Sequence, residues 1–514
     1  MDLFWQTYHT SLYVVLNESG FKKHYQSLWM SNSCSRRNSA LVDIVIAMCM
    51  QYGVSSLSSD RQGSIIWGED ATIAGRWHYR RGWTLLAYEM ESPTISTLQG
   101  YLLCAVYLCG GSFHNMVDST CGLAVRIAYQ LGLHVEPSRR VSEEERQLRR
   151  RLWWAVCLLD SKMAIKFGRP FMVSVSATAP ALPEDSLEVA KVSGSAFAPI
   201  GPNTTWLSFS LHQIKLYNLV REALTAIYGT NISLPQGHTV WDHPWALEQI
   251  AGGLTPYMKR LEDWTQQLPE SLKTRRRGGA KAYATNRSIL EIEQFAPAWL
   301  QRQRIVLEGG YHHLCICLLR PFITFGAELT EGSLAESNAQ RCIEHAIELS
   351  GFLQQVIAAT SILNGWHEAF QWQWSATITL VGFVSAYPTN RLATEAREAL
   401  STSISVLEIF GTSFAASASA SSLVKNLYSR INALTPPHSL LGPALAGSGP
   451  TLDPIPADKL SDLSCITKCD DGVDSPGFVS NEGFNSLGDF DIREMAATVD
   501  FWEDMDMLWP GLST

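Results

Sequence analysis

Apolar positions along the first 434 residues recur with the spacing of helix faces. Leu41, Ile44, Val45, Met48, Cys49 and Tyr52 follow the i, i+3, i+4, i+7 rule that gathers one stripe on the buried side of a helix. Leu98, Leu102, Ala105, Val106 and Cys109 repeat it. Leu123, Ile127 and Leu131 form a third stripe closed by Gly132, a residue that takes the left-handed conformation of a helix stop without strain. Starts are legible too. Ser92-Pro93 reads as a cap followed by proline in the first turn, where its missing N–H costs nothing. Ser142-Glu143-Glu144-Glu145 reads as a capping box ahead of a helix that is basic and then strongly apolar, from Arg149 to about Ile165. Further helices are predicted near 206–228, 244–267, 290–319, 336–358, 364–386, 393–409 and 415–433. No sustained alternation with hairpin turns competes with these, so the expected fold is all-α, an irregular multi-helix domain over 1–434.

The pattern changes after Leu434. Residues 435–480 begin with a stretch rich in Pro, Gly, Ser and Ala and read as a flexible linker. In 481–514, Glu482, Asp489, Asp491, Glu494, Asp500, Glu503, Asp504 and Asp506 face a single Arg493 and interleave with Phe484, Phe490, Phe501, Trp502, Leu508 and Trp509. Like charges hold such a segment open while its rings stay available to a partner's groove, the mark of a disordered acidic activation tail. The competing reading is a terminal helix that docks on the core of the same chain.

Composition adds limits. Hydrophobic residues make up 46 % of the 514 and charged residues 17 %, enough apolar content for a large core. The formal net charge of -9 supplies no basic face for a phosphate backbone, and Arg36–Arg37, Arg139–Arg140, Arg149–Arg150–Arg151 and Arg275–Arg276–Arg277 read as solvated helix faces or loops. The N-terminus lacks the early basic residues of a secretory signal, and the apolar runs Ile44–Met50 and Tyr101–Cys109 fall short of the ~18–20 residues that span a bilayer. A soluble, intracellular protein with reduced cysteines is expected.

Catalytic and metal chemistry find little footing. Cys104/Cys109, Cys315/Cys317 and Cys465/Cys469 lack the C-x2-C spacing that closes a zinc tetrahedron. His312 and His313 are neighbours on a helix and point about 100° apart. His367-Glu368 has no second His four residues on. Asp470, Asp471 and Asp474 match a magnesium-binding D-D-x-x-D string of all-helical enzymes, but they sit among linker residues instead of on a rigid helix wall. No glycine-rich phosphate loop and no G-x-S-x-G elbow is present. No catalytic, cofactor-binding or metal-binding residue is assigned, and the expected activity is binding.

The string Arg149-Arg-Arg151-Leu152-Trp153-Trp154-Ala-Val-Cys-Leu-Leu-Asp160, followed by Phe167-Gly168-Arg169-Pro170 and Leu182-Pro183-Glu184-Asp185, resembles the central signature of the fungal-specific transcription factor domain. Other strings agree in order: Ser96 to Gln99, Ala124 to His134, Leu261 to Pro269, Tyr311-His312 with Leu319-Arg320-Pro321-Phe322, and Cys342 with Ala346. Phe21 and His24-Tyr25 resemble its entry segment. Within the signature, Trp153 and Trp154 are too bulky to leave in water and read as packing residues. Asp160 stands in sequence near Lys162 and Arg169, either of which would neutralise it. Gly168 permits the turn and Pro170 stops the helix from resuming.

The resemblance implies a nuclear regulator of transcription by RNA polymerase II in a fungus, in a metabolic or secondary-metabolite pathway. It implies co-activators or a related transcription factor as partners, with a small-molecule inducer acting on the helical domain and no membrane. The binuclear zinc cluster that usually accompanies this domain needs six cysteines, whereas only Cys34 and Cys49 precede position 100. Either an N-terminal cluster, with its zinc and its DNA contact, is missing from the sequence, or the protein acts through a partner's DNA reader. The alternative functions are a non-DNA-binding modulator that pairs with and represses a zinc-cluster factor and, more remotely, an all-helical metal-dependent enzyme.

Overall fold

A computed structural model describes residues 2–29, 35–56, 71–174, 178–236, 238–325 and 329–434. Its fold is all-α. After a short helical start at Asp2–His9, the helices are α1 (Glu18–Ser27), α2 (Ala40–Ser55), α3 (Arg76–Glu89), α4 (Ile95–Gly110), α5 (His114–Gln130), α6 (Glu143–Phe167) and α7 (Leu187–Val192). They continue as α8 (Ser208–Tyr228), α9 (Pro244–Gln267), α10 (Ala298–Leu319), α11 (Leu334–Ala359), α12 (His367–Ala386), α13 (Ala393–Gly411) and α14 (Ala415–Leu434). The only strands among the described residues are β1 (Arg275–Arg276) and β2 (Leu290–Glu291), paired antiparallel with Arg275 opposite Glu291.

α2 packs on α3 and α4, α4 on α5, and α5 on α6. In the second half α8 packs on α9 and α10, while α10 to α14 stack in succession. α8 also touches α6, and α12 reaches back to α4, so both halves share one apolar core. α2 buries Val42, Ile44, Val45, Ala47 and Met48 completely, a helix apolar on nearly every side and therefore central. α3 can lie close against it because a side chain at Gly82 would meet Ile44 Cγ1 at 2.8 Å.

Most sequence-predicted helices lie within a few residues of the observed ones, and 244–267 coincides with α9. Three local expectations are corrected. α4 begins after Thr94, whose hydroxyl accepts from Thr97 N and whose own N–H donates to Thr97 Oγ1, so Ser92-Pro93 precedes the cap. At α6, Ser142 Oγ caps Glu145 N as expected, but the Glu145 carboxylate accepts from Arg149 Nε at 2.9 Å instead of reaching back. The segment expected to be helical from 290 starts as β2, and α10 begins only at Ala298, after Pro297 at the cap. Residues 435–514 lie outside the described residues. With them lie the linker, the tail residues Phe490, Phe501, Trp502, Leu508 and Trp509, Cys465/Cys469, and Asp470, Asp471 and Asp474.

Candidate functional site: the charged interior around the signature helix

α6 carries most of the signature. Leu152 and Trp153 are buried, and the Trp153 ring meets Tyr129 edge-on at 5.5 Å. Trp154 points elsewhere and donates its indole N–H to Ala181 O at 3.0 Å, tying the helix to the segment that leads to Leu182-Pro183. Gly168 ends the helix at φ +61°, and Arg169 and Pro170 are exposed.

Asp160 is 1 % exposed and organises the segment behind that stop. Its carboxylate accepts from the backbone N–H groups of Met172 and Val173 at 3.0 Å each, and from Arg221 Nη1 and Nη2 at 3.1 Å. Arg221, on α8, also donates to Ser161 Oγ and Val173 O and lies over the Phe171 ring. The neutralising partner is therefore 61 residues away in sequence, in place of the expected Lys162 or Arg169. Each of those is engaged elsewhere: Lys162, two positions on, faces another side of the helix, and Arg169 lies beyond the helix stop at Gly168. Lys162 bridges to Glu368 on α12 beneath the rings of Tyr13 and Tyr217, at 5.6 and 5.7 Å, and Arg169 bridges to Asp118 on α5.

A second ionic centre lies in the other half. Glu308 on α10 accepts from Arg276, from Thr274 and from the N–H of Tyr283 at 2.8 Å. Glu348 on α11 takes Arg276 Nη1 at 3.4 Å and Arg287 N at 2.7 Å, with burial the main cause of its raised pKa. Arg276 is 1 % exposed at its side chain, which corrects the reading of 275–277 as a solvated run. Near the N-terminal half, Asp43 receives Arg36, Arg81 and His78; burial alone would raise its pKa, but those hydrogen bonds outweigh it and lower it. Arg149 and Arg150 pair at the surface with Glu145, Glu136 and Glu184, whereas Arg151 is buried, a second departure from the solvated reading.

These groups join helices, and their chemistry is that of binding and positioning. The thiols are protonated: burial pushes Cys109 to about 11 and Cys157 and Cys315 to about 12. His312 Nδ1 lies 2.9 Å from His345 Nδ1 in the core, and burial is the main cause that holds both imidazoles neutral. Among the described residues no group of three or more His, Cys, Asp or Glu is placed to hold a metal, and no helix is long and apolar enough to cross a membrane. Sequence inspection missed Arg221, Glu308 and Glu348, and it named Arg276 and Glu368 without their partners. A charged residue inside an apolar run, as at Glu308, was the one visible sign; the partner was not.

The fungal specific transcription factor domain matches residues 1–275, which includes the whole of α6 and its Asp160–Arg221 clamp. The chain belongs to that family. It is 46 % identical over 442 residues to the transcription factor asqA of Emericella nidulans, covering 84 % of this chain and 78 % of that protein. It is 33 % identical to the terreic acid cluster-specific transcription factor atF of Aspergillus terreus, over 76 % of this chain and 60 % of the relative. It is 24 % identical to the oosporein cluster regulator OpS3 of Beauveria bassiana, over 74 % and 54 %. The family is one of transcription regulators, and this chain is one by membership. The second and third of these proteins extend well beyond the part that it spans.

Proposed function

We propose that the protein is a nuclear regulator of a secondary-metabolite gene cluster, and that its helical domain switches in response to a small metabolite. The observation that carries the pathway is the likeness to two relatives named for such clusters, one at 33 % identity over 76 % of this chain. The domain acts by binding. A metabolite that prefers one arrangement of the helices shifts the protein toward it, and only that difference in affinity can do so. Residues 481–514 then recruit co-activators by laying Phe490, Phe501, Trp502, Leu508 and Trp509 into a partner's groove. DNA is reached through a zinc-cluster segment or through a partner factor, and zinc belongs to that reader.

Deleting the gene in its fungus and sequencing transcripts tests the pathway. A contiguous block of biosynthetic genes should fall roughly tenfold or more. Unchanged clustered transcripts under producing conditions would refute the reading, and a rise would favour the repressing modulator. Fusing 481–514 to an unrelated DNA-binding domain should activate a reporter; silence there removes the tail from the proposal.

A further inference from the structure

Exposed rings and exposed arginines coincide on α3. The helix packs on α2 and α4 and turns its remaining side to solvent. That side carries Trp77, Arg80, Thr84 and Tyr88 at three- and four-residue spacing, with Trp77 63 % and Tyr88 78 % exposed. The Arg81 guanidinium lies 4.4 Å from the centre of the Trp77 ring, held there by Asp43, which accepts from its Nε at 2.7 Å. Asp43 also takes Arg36, whose backbone pairs with that of Trp29, a further exposed indole. Trp29, Arg36, Asp43, Arg81 and Trp77 are thus joined by contact, and Arg37, Arg76 and Arg80 are exposed beside them in the chain.

The charge there is positive, in a chain whose net charge is -9. Asp43 is fully buried beneath the surface and already shared by two arginines and His78, and Glu89 at the end of α3 accepts from Thr97 Oγ1 at 2.7 Å. Other exposed rings stand among acids: Trp245 lies between Asp242 and Glu248 in sequence, and Phe295 follows Glu291 and Glu293. The α3 face therefore suits an occupant that is acidic and aromatic at once. This chain carries such a segment. From Glu494 to Thr514 there is no Lys or Arg, and Asp500, Glu503, Asp504 and Asp506 interleave with Phe501, Trp502, Leu508 and Trp509.

We propose that the segment 500–509 of the same chain docks on the α3 face, with its acids against Arg76, Arg80 and Arg81 and its rings beside Trp77 and Tyr88. Residues 435–480 separate the tail from α14, and an extended segment of that length spans more than about 100 Å, so reach does not restrict the docking. Covalent attachment favours this occupant over the same segment of a second copy, since a tether holds an effective concentration far above that of a free protein. Docked, the rings are withheld from a co-activator's groove, and the face competes with recruitment. This deepens the activation-tail reading and rests on it for its biological meaning. Docking itself is read on the purified chain, so its failure and silence of the reporter fusion are separate results.

The purified full chain carrying p-benzoylphenylalanine in place of Phe501 is irradiated, digested and mapped by mass spectrometry. The photoproduct should join position 501 to the stretch 76–88 within one chain, and it should weaken at about 0.5 M salt, where screening sets in within about 4 Å. Arg80→Glu with Trp77→Ser should cut its yield at least about fivefold, since an aromatic anchor and a charge carry much of such a contact. Both side chains are exposed, so the melting temperature should hold; if it falls, Arg80→Glu alone repeats the test. No link, links to another helix, links only between two chains, or an undiminished yield in the variant would each overturn the docking.

Discussion

Replacing Asp160 with alanine should destabilise the domain by about 3–5 kcal/mol, measured as a lower urea midpoint with an unchanged slope. The size follows from what the substitution leaves behind. Arg221 would keep its charge in an interior position 7 % exposed, with only Ser161 and Val173 as acceptors, and the N–H groups of Met172 and Val173 would lose theirs. Each buried, unsatisfied donor costs about 1–3 kcal/mol. A whole domain has a margin of only about 5–15 kcal/mol, so the variant should accumulate poorly in cells. The double replacement Asp160→Leu with Arg221→Met should regain much of the loss, since neither charge stays buried alone. A loss under about 1 kcal/mol for Asp160→Ala would place the pair in the class of exposed ion pairs and contradict the clamp.

Mild acid should be comparably damaging. Burial lowers the imidazoles of His9 and His345 to about 3 and of His212 to about 4, and lowers His312 and His367 well below their ordinary value of 6.5. The unfolded chain takes protons on these groups near 6.5, which the folded chain refuses. Their contribution is therefore full above that pH and is lost as pH falls from about 6.5 toward the folded values. Each independent group forfeits about 1.4 kcal/mol per pH unit once below 6.5. His114 and His313, lowered to about 3, respond in the same way. Seven such imidazoles, at about 1.4 kcal/mol each one pH unit below 6.5, set an upper bound of about 10 kcal/mol on the loss at pH 5.5. The lowered Asp43 adds its own loss only below its ordinary value of 3.8. Melting temperatures recorded from pH 7.5 to 5.5 should fall steeply, and a flat profile would mean that the imidazoles are open to water.

The helices themselves were readable because their signals are local. The 3.6-residue stripe of α2 needs only its own residues, as does the Ser142 cap of α6. Where a local signal had a close competitor it misled. Ser92 and Thr94 are both good caps two residues apart, and the pairing of Thr94 with Thr97 decided between them. At 290, apolar spacing continued a helix backward, but pairing with Arg275 and Arg276 drew those residues into β2.

The sequence by itself determined the all-helical class, the places of most helices, and the signature that marks the family, because periodicity, caps and short strings are written within a few turns of chain. Tertiary structure alone decided which charges are inside and what meets them. Arg149, Arg150 and Arg151 are equal in sequence, yet two pair at the surface and one is buried, with its Nε and Nη1 making no hydrogen bond. Asp160 passes over two nearby cations for one on α8, and Glu368 on α12 meets Lys162 across 206 residues. The reason is physical: a helix fixes the direction of each side chain at once, but the dielectric around it and the group opposite it exist only after distant helices have packed.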